Sequence, residues 1–199
     1  MMDSTWSEDS CAKPSNLKYN VHGPFQSMST EQVRGIATAL ALPVTLMLFN
    51  VNGDLNIGMA IRTAAILGCS DVYVVGRRKY DRRSEVGAKN YIAIQRRPSV
   101  DCEFFKENRL VPVLIEQGGA SLENFSFKSL LPSRLEPGYR VVFIVGSEAD
   151  GLPEDFMQSL APCPKISISQ YGVMRSFNVS IAASIVLYEY TKQWRASIV

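Results

Sequence analysis

Four runs of consecutive apolar residues constrain this chain more than any other feature: "VTLMLFN" (44–50), "DVYVVG" (71–76), "LVPVLIE" (110–116) and "RVVFIV" (140–145). A strand with one wet face alternates apolar and polar residues, whereas a strand covered on both faces stays apolar throughout. Between the runs lie segments of helical character. Asn56 to Leu67 is stopped by Gly68, "SVDCEFFKEN" (99–108) follows, and a helix started by Pro153 reaches about Leu160. A last strand is expected at "PKISIS" (164–169) and a closing helix over 176–193. Covered strands separated by helices predict an α/β fold, a mostly parallel sheet flanked by helices. The 199 residues suit one such domain with an appendage. Residues 1–40 are polar and broken by Pro14, Gly23 and Pro24, so they read as an N-terminal arm, flexible or loosely docked, with the domain at 41–199. A short helix over 29–40, capped by Ser29 or Thr30, is expected within the arm.

Several function classes are disfavoured. No apolar run approaches the roughly 20 residues that cross a bilayer. The N-terminus carries acids and lacks an apolar core, unlike a signal peptide or an organelle presequence, so a cytoplasmic protein is expected. Cys11, Cys69, Cys102 and Cys163 contain no CxxC pair, and His22 is the only histidine. Neither a zinc cluster nor a serine–histidine triad has its raw material, and no metal is expected. Net charge is only +2, but residues 77–97 hold eight basic and two acidic residues, net +6, and the remainder is net −4.

Three loops carry candidate chemistry. After the first strand, Asn56 and Gly58 open a helix on which Arg62 lies close by the 3.6-residue period; on spacing alone, a capped helix with a solvated arginine is the plainer reading. After the fourth strand, "GSEADGLP" (146–153) places Gly146 and Gly151 around an acidic stretch before a proline-started helix. It lacks the GK[ST] of a P-loop and the G-x-G-x-x-G of a dinucleotide fold. Acids at a helix start also argue against phosphate, so a neutral or cationic ligand held by backbone groups fits better. In the third loop, Gly172 precedes Ser176 and Asn178 at a helix start, where either side chain could be a simple N-cap. That closing helix, with Ile181, Ile185, Val186, Leu187, Tyr188 and Tyr190, has no broad polar face, so a second subunit is expected against it.

Together and in this order, N-x-G-x-x-x-R-T-A (56–64), V-G-S-E-x-x-G-L-P (145–153) and I-x-x-x-G-x-x-x-S-x-N-V-S (168–180) resemble the signature motifs of the SpoU/TrmH branch of the SPOUT RNA methyltransferases. The resemblance covers roughly residues 42–193. It implies a SPOUT-type sheet whose C-terminal part is threaded into a deep trefoil knot, a homodimer, and S-adenosylmethionine (AdoMet) as methyl donor, leaving S-adenosylhomocysteine. The implied reaction is methyl transfer to a ribose 2′-hydroxyl. Carried over position by position, Arg62 and Asn56 would stand at the reacting ribose, with Glu148, Ser176 and Asn178 completing the catalytic set. Val145, Gly146, Ser147, Gly151, Ile166, Ile168, Gly172 and Ser176 would line the cofactor. A guanidinium is protonated below a pH of about 12, so Arg62 is better suited to orienting phosphate and stabilising alkoxide charge than to acting as a base. Two departures from the family stand out: Ser169 and Gln170 follow the third motif's isoleucine, where proline and an apolar residue are common, and Met59 replaces a frequent small residue.

The basic residues Arg77, Arg78, Lys79, Arg82, Arg83, Lys89, Arg96 and Arg97 form the candidate RNA-binding belt, with Tyr80 and Tyr91 as platforms for exposed bases; a solvated charged loop is the competing reading. The chain leaves no room for a separate RNA-binding domain before the catalytic one, which favours transfer RNA over ribosomal RNA as substrate. Three alternatives remain: a SPOUT enzyme methylating a base nitrogen, a non-enzymatic RNA-binding module, and a Rossmann-like oxidoreductase. The last is disfavoured by the missing dinucleotide glycines.

Overall fold

The computed structural model describes residues 20–76 and 79–198. Arg77 and Arg78 of the basic belt, and residues 1–19 of the arm with Cys11, lie outside them. Helix α1 (Thr30–Ala39) opens on a capping box in which Ser29 and Gln32 each accept the other's backbone N–H. Val33 is its buried residue, and Arg34 Nε donates to the Asn90 carbonyl at 2.7 Å.

The four apolar runs become β1 (Leu42–Phe49), β2 (Cys69–Val75), β4 (Leu110–Ser121) and β5 (Arg140–Val145). Two shorter strands, β3 (Ala93–Arg97) and β6 (Lys165–Ser167), complete one six-stranded sheet of order β3-β2-β1-β5-β4-β6 among the described residues. Every pairing is parallel. Alternate residues of the inner strands supply two cores. Leu46, Leu48, Val74, Phe143 and Val145 pack with Ile57 and Ile61 of α2 (Asp54–Ile66) and Val186 and Leu187 of α5 (Val179–Ala196). On the other face, Met47, Tyr73, Val142 and Ile144 pack with Phe105 of α3 (Cys102–Glu107) and Phe156 of α4 (Glu154–Ser159). Burial on both sides is why these strands read as unbroken apolar runs.

The chain runs outward from β1 through β2 to β3 and then crosses to fill the opposite half of the sheet. The loops leaving β1 and β5 therefore depart in opposite directions from neighbouring strands. In open parallel sheets this switch point, at the carboxyl ends of the strands, is where ligands bind.

Residues 79–97 contain two 3₁₀ turns, Arg82–Glu85 and Ala88–Asn90, and then the edge strand β3. An edge strand pairs on one side only, so the polar "AIQRR" gives no apolar run to read. The first turn packs against α2 at Gly58, where a Cβ would lie 1.9 Å from Ser84 Oγ and 2.9 Å from the Glu85 nitrogen. The missing Cβ of Gly58 thus admits protein backbone. Among the described residues, no helix is long and apolar enough to cross a membrane and no acidic, histidine or cysteine cluster could hold a metal.

Candidate active site

At the carboxyl end of β5 the chain turns through Gly146 into a closed loop. Ser147 and Gly151 exchange backbone hydrogen bonds of 3.1 and 3.0 Å, and the Ser147 hydroxyl accepts the Asp150 N–H. Gly151 has φ +68°, and a Cβ on Gly146 would sit 2.2 Å from the Gly151 carbonyl carbon, so this tight reversal needs both glycines. The loop projects Glu148 toward the start of α2.

There the three sequence motifs meet. Asn56 Nδ2 donates to Glu148 Oε1 at 2.5 Å, and the Asn52 N–H donates to Oε2 at 3.3 Å. Asn178 Nδ2 donates to Asn56 Oδ1 at 3.0 Å. Asn178 Oδ1 in turn accepts from the Ser180 backbone N–H at 3.0 Å and from its hydroxyl at 2.6 Å, which makes Asn178 the N-cap of α5. The capping reading holds, and the same side chain also reaches Asn56, because the two ends of one amide serve different partners. A row Glu148–Asn56–Asn178–Ser180 results, in which each asparagine's orientation is fixed by its neighbours. Partial burial acts to raise the Glu148 carboxyl, but hydrogen bonds from Asn56 and from the backbone of Glu148, Asn52 and Gly53 outweigh it. Glu148 is therefore held below the ordinary glutamate value, as a carboxylate.

Beside this row is a cavity of about 300 Å³. Of the residues expected around a cofactor, Val145, Gly146, Ser147, Gly151, Ile168 and Ser176 line it, as does Glu148. Ile166 is instead fully buried in the core as part of β6, and Gly172 lies away from the cavity with open space around it. The lining also includes Glu116, Gln117, Arg175, Phe177 and Ala182. Glu116 and Gln117 follow directly on the apolar run of β4. The rule placing ligands at carboxyl strand ends, applied to β4 as to β5, points to them. The charged lining residues are three acids, Glu116, Glu148 and Asp150, and one base, Arg175.

Arg62 is exposed on α2, makes no hydrogen bond or ion pair among the described residues, and does not line the cavity. Nearby stand apolar side chains in water: Leu55 and Met59 on α2, Ile181 and Tyr188 on α5, and Phe177 between the helices and the cavity. The two helices are tied together by a Ser184–Thr63 hydroxyl bond of 3.1 Å. The face of α5 that sequence left without a polar cover is thus exposed within one chain.

The basic belt divides. Lys79, Arg82 and Arg83 lie on the α2 side, close to the Gly58 contact, with Arg83 bonded to Asp81 through Nε at 2.7 Å and Arg82 3.9 Å from Glu85. Lys89 is exposed beside Asn90, where Arg34 docks. Arg97 is exposed at the end of β3, and the Arg96 guanidinium lies 5.4 Å from the Tyr80 ring centre. Tyr80 is not the expected stacking platform: it is buried and donates its hydroxyl to buried Glu85 at 2.5 Å. Burial, then Glu85, pushes its ionisation up to about 12. Tyr91 is half-buried.

Comparison with known proteins bears on the same segments. The family model described as the SpoU rRNA Methylase family matches residues 43–188, well over half of the chain. A mouse protein named tRNA (guanosine(18)-2′-O)-methyltransferase TARBP1 is 28% identical over 152 residues, 69% of this chain but only 9% of that much longer protein. The tRNA (guanosine(18)-2′-O)-methyltransferase of Borreliella burgdorferi strain B31 is 26% identical over 159 residues, covering 77% of this chain and 68% of the relative. Among solved structures, the A. aeolicus TrmH/SpoU tRNA modifying enzyme superposes with TM-score 0.67 at 20% identity, over 84% of this chain and 83% of that one. An AdoMet-bound rRNA methyltransferase from Sinorhizobium meliloti gives 0.61 at 26% identity, over 80% and 59%.

Proposed function

This chain belongs to the SpoU rRNA methylase family, and we propose that it transfers a methyl group from AdoMet to a ribose 2′-hydroxyl of RNA, with transfer RNA favoured over ribosomal RNA. The observation that carries the reading is the hydrogen-bonded row in which Glu148, Asn56 and Asn178, one from each motif, meet beside the cavity. Both guanosine-18 relatives are named for transfer RNA and for the 2′-oxygen, which supports the choice of substrate. A cytoplasmic location belongs to the same proposal.

The lining suits AdoMet. Its sulfonium is cationic, and carboxylates of Glu116, Glu148 and Asp150 surround the cavity, where a phosphate would be repelled. Gly146 and Gly151 leave backbone accessible along one wall, and Val145, Ile168, Phe177 and Ala182 supply apolar surface for an adenine. When bound, AdoMet supplies a methyl carbon activated by its bond to sulfur. Ser176 and Glu148 border that site, and Asn56 and Asn178 hold Glu148 as a fixed carboxylate at its edge. The methyl carbon would pass to the ribose oxygen with S-adenosylhomocysteine as the leaving group, and the hydroxyl proton would go to a phosphate oxygen or water. The Arg62 guanidinium orients the substrate phosphate and stabilises the developing alkoxide.

A homodimer and a knotted C-terminal segment complete the proposal. The exposed Leu55, Met59, Ile181 and Tyr188 support a second copy packed on α2 and α5, which would also bring Arg62 into an interface. A monomer mass of 22.1 kDa by sedimentation would contradict this. The knotted segment rests on the membership of the family; a crystal structure with an unthreaded chain would refute it. Lys79, Arg82, Lys89 and Arg97, with Arg77 and Arg78, are the proposed phosphate contacts, so RNA affinity should fall steeply with salt.

Calorimetric titration tests the cofactor. AdoMet is expected to bind one site per chain, competitively with S-adenosylhomocysteine. Heat-silent mixing with protein of native circular dichroism would remove the basis of the proposal.

A further inference from the structure

Strand β4 continues past the end of its pairing with β5, which stops at Ile115↔Val145. The extension touches both loops that frame the cavity. On one side, Glu116 Oε2 accepts the Leu152 N–H at 3.1 Å, just after the 146–151 loop, and Oε1 accepts from Gln117 at 2.8 Å. That carboxylate lies against the loop itself, since a Cβ on Gly151 would be 2.5 Å from Oε2. On the other side the extension meets the 167–175 segment four times. Gln117 Nε2 donates to the Arg175 carbonyl at 2.9 Å, and the Ser167 hydroxyl donates to the Gly119 carbonyl at 2.9 Å. Ser121 and Ser169 join hydroxyls at 3.0 Å, and the Tyr171 hydroxyl donates to Glu123 Oε1 at 2.6 Å.

Apolar burial does little to hold the second loop. Tyr171 is 86% exposed, Val173 fully so and Met174 78%. Ile168 still packs partly buried against the core, but residues 170–177 are all exposed. They keep their place through polar ties and through the anchors on either side, Ile168 at the core and Asn178 at the helix cap. Ser169 and Tyr171 supply side-chain ties in a stretch with no proline to stiffen it.

We propose that the β4 extension with the 3₁₀ turn that follows it, residues 116–123, is the positioning element of the cavity: it fixes one loop through Glu116 and the other through Ser121 and Glu123, and so sets the separation at which both grip the cofactor. This rests on the reading that the cavity takes AdoMet, and the test separates the two claims. Ser121 and Glu123 do not line the cavity, so their removal acts only through the loop.

Nitrogen-15 relaxation of the ligand-free protein comes first. In an S121A/E123A double variant, backbone order parameters over 168–177 should fall while those of β1, β5 and α5 stay as they are. In Glu116→Ala, the fall should be confined to Leu152 and the preceding loop. Calorimetry then should show AdoMet affinity reduced roughly 3- to 10-fold in the double variant, the scale of one or two lost hydrogen bonds. S121T/E123Q, which keeps a hydroxyl and an acceptor, should restore both readouts, and KM for RNA should stay within about twofold in both variants of Ser121 and Glu123. Unchanged order parameters in the double variant, or lowered ones with AdoMet affinity held within twofold, overturn the proposal. If the wild-type protein binds no AdoMet, the functional reading fails, while relaxation still decides whether the extension holds the loops.

Discussion

Asn56 is the residue on which the site turns. Its amide gives its N–H to Glu148 and its oxygen to Asn178, so the side chain can sit in only one orientation. Sequence singled out all three residues, but not that they touch: Asn56 is 92 positions from Glu148 and 122 from Asn178. No local period encodes a contact at that range; the resemblance of three motifs supplied it. Glu148 offers a direct check. Its folded value lies below the ordinary 4.5, so its hydrogen bonds stabilise the site fully above that value and are lost as pH falls through the lower, folded one. A carbon-13 titration of the Glu148 carboxyl should give a midpoint below 4.5. In Asn56→Ala the largest of the hydrogen bonds that oppose burial is gone, and the midpoint should rise. A wild-type midpoint at or above 4.5 would contradict the row.

At the scale of elements, strands β1, β2, β4 and β5 were legible because two covering layers force every position to be apolar. Strand β3 was not, because an edge strand of five residues with two arginines carries no such signature. Strand β6 proved shorter than the expected 164–169, three residues, and the closing helix begins at Val179 because Asn178 caps it. Tyr80 misled for a related reason. An aromatic among arginines resembles an RNA platform, yet here its ring covers α2's flank and its hydroxyl satisfies half of a buried carboxylate. The packing of the 82–85 turn on α2 is testable at Gly58. Gly58→Ala gains roughly 1 kcal/mol of helix propensity but must displace backbone at Glu85. Overpacking of this kind costs about 1–3 kcal/mol, so the net expectation is a melting temperature lower by a few degrees. An unchanged or higher melting temperature would show that the turn is free to move.

For the whole molecule, periodicity gave the layers and the parallel sense of the sheet, but strand order has no trace in the local pattern. Order matters most for function, since placing β5 beside β1 is what opens the crevice where Glu148 meets α2. The charge asymmetry, net +6 in residues 77–97 against −4 elsewhere, was legible as a total, but not its division between the α2 flank and the Asn90 corner, which follows from the fold. The most direct test of the account is methyl transfer itself. Tritiated AdoMet is supplied with unmodified transfer RNA and, separately, ribosomal RNA, and the labelled RNA is hydrolysed in alkali. A 2′-O-methyl ribose cannot form the cyclic phosphate that alkaline cleavage requires, so label in transfer RNA that survives as an alkali-resistant dinucleotide is the predicted result. Label recovered entirely in mononucleotides would place the methyl group on a base and contradict the assignment of the ribose hydroxyl to this site.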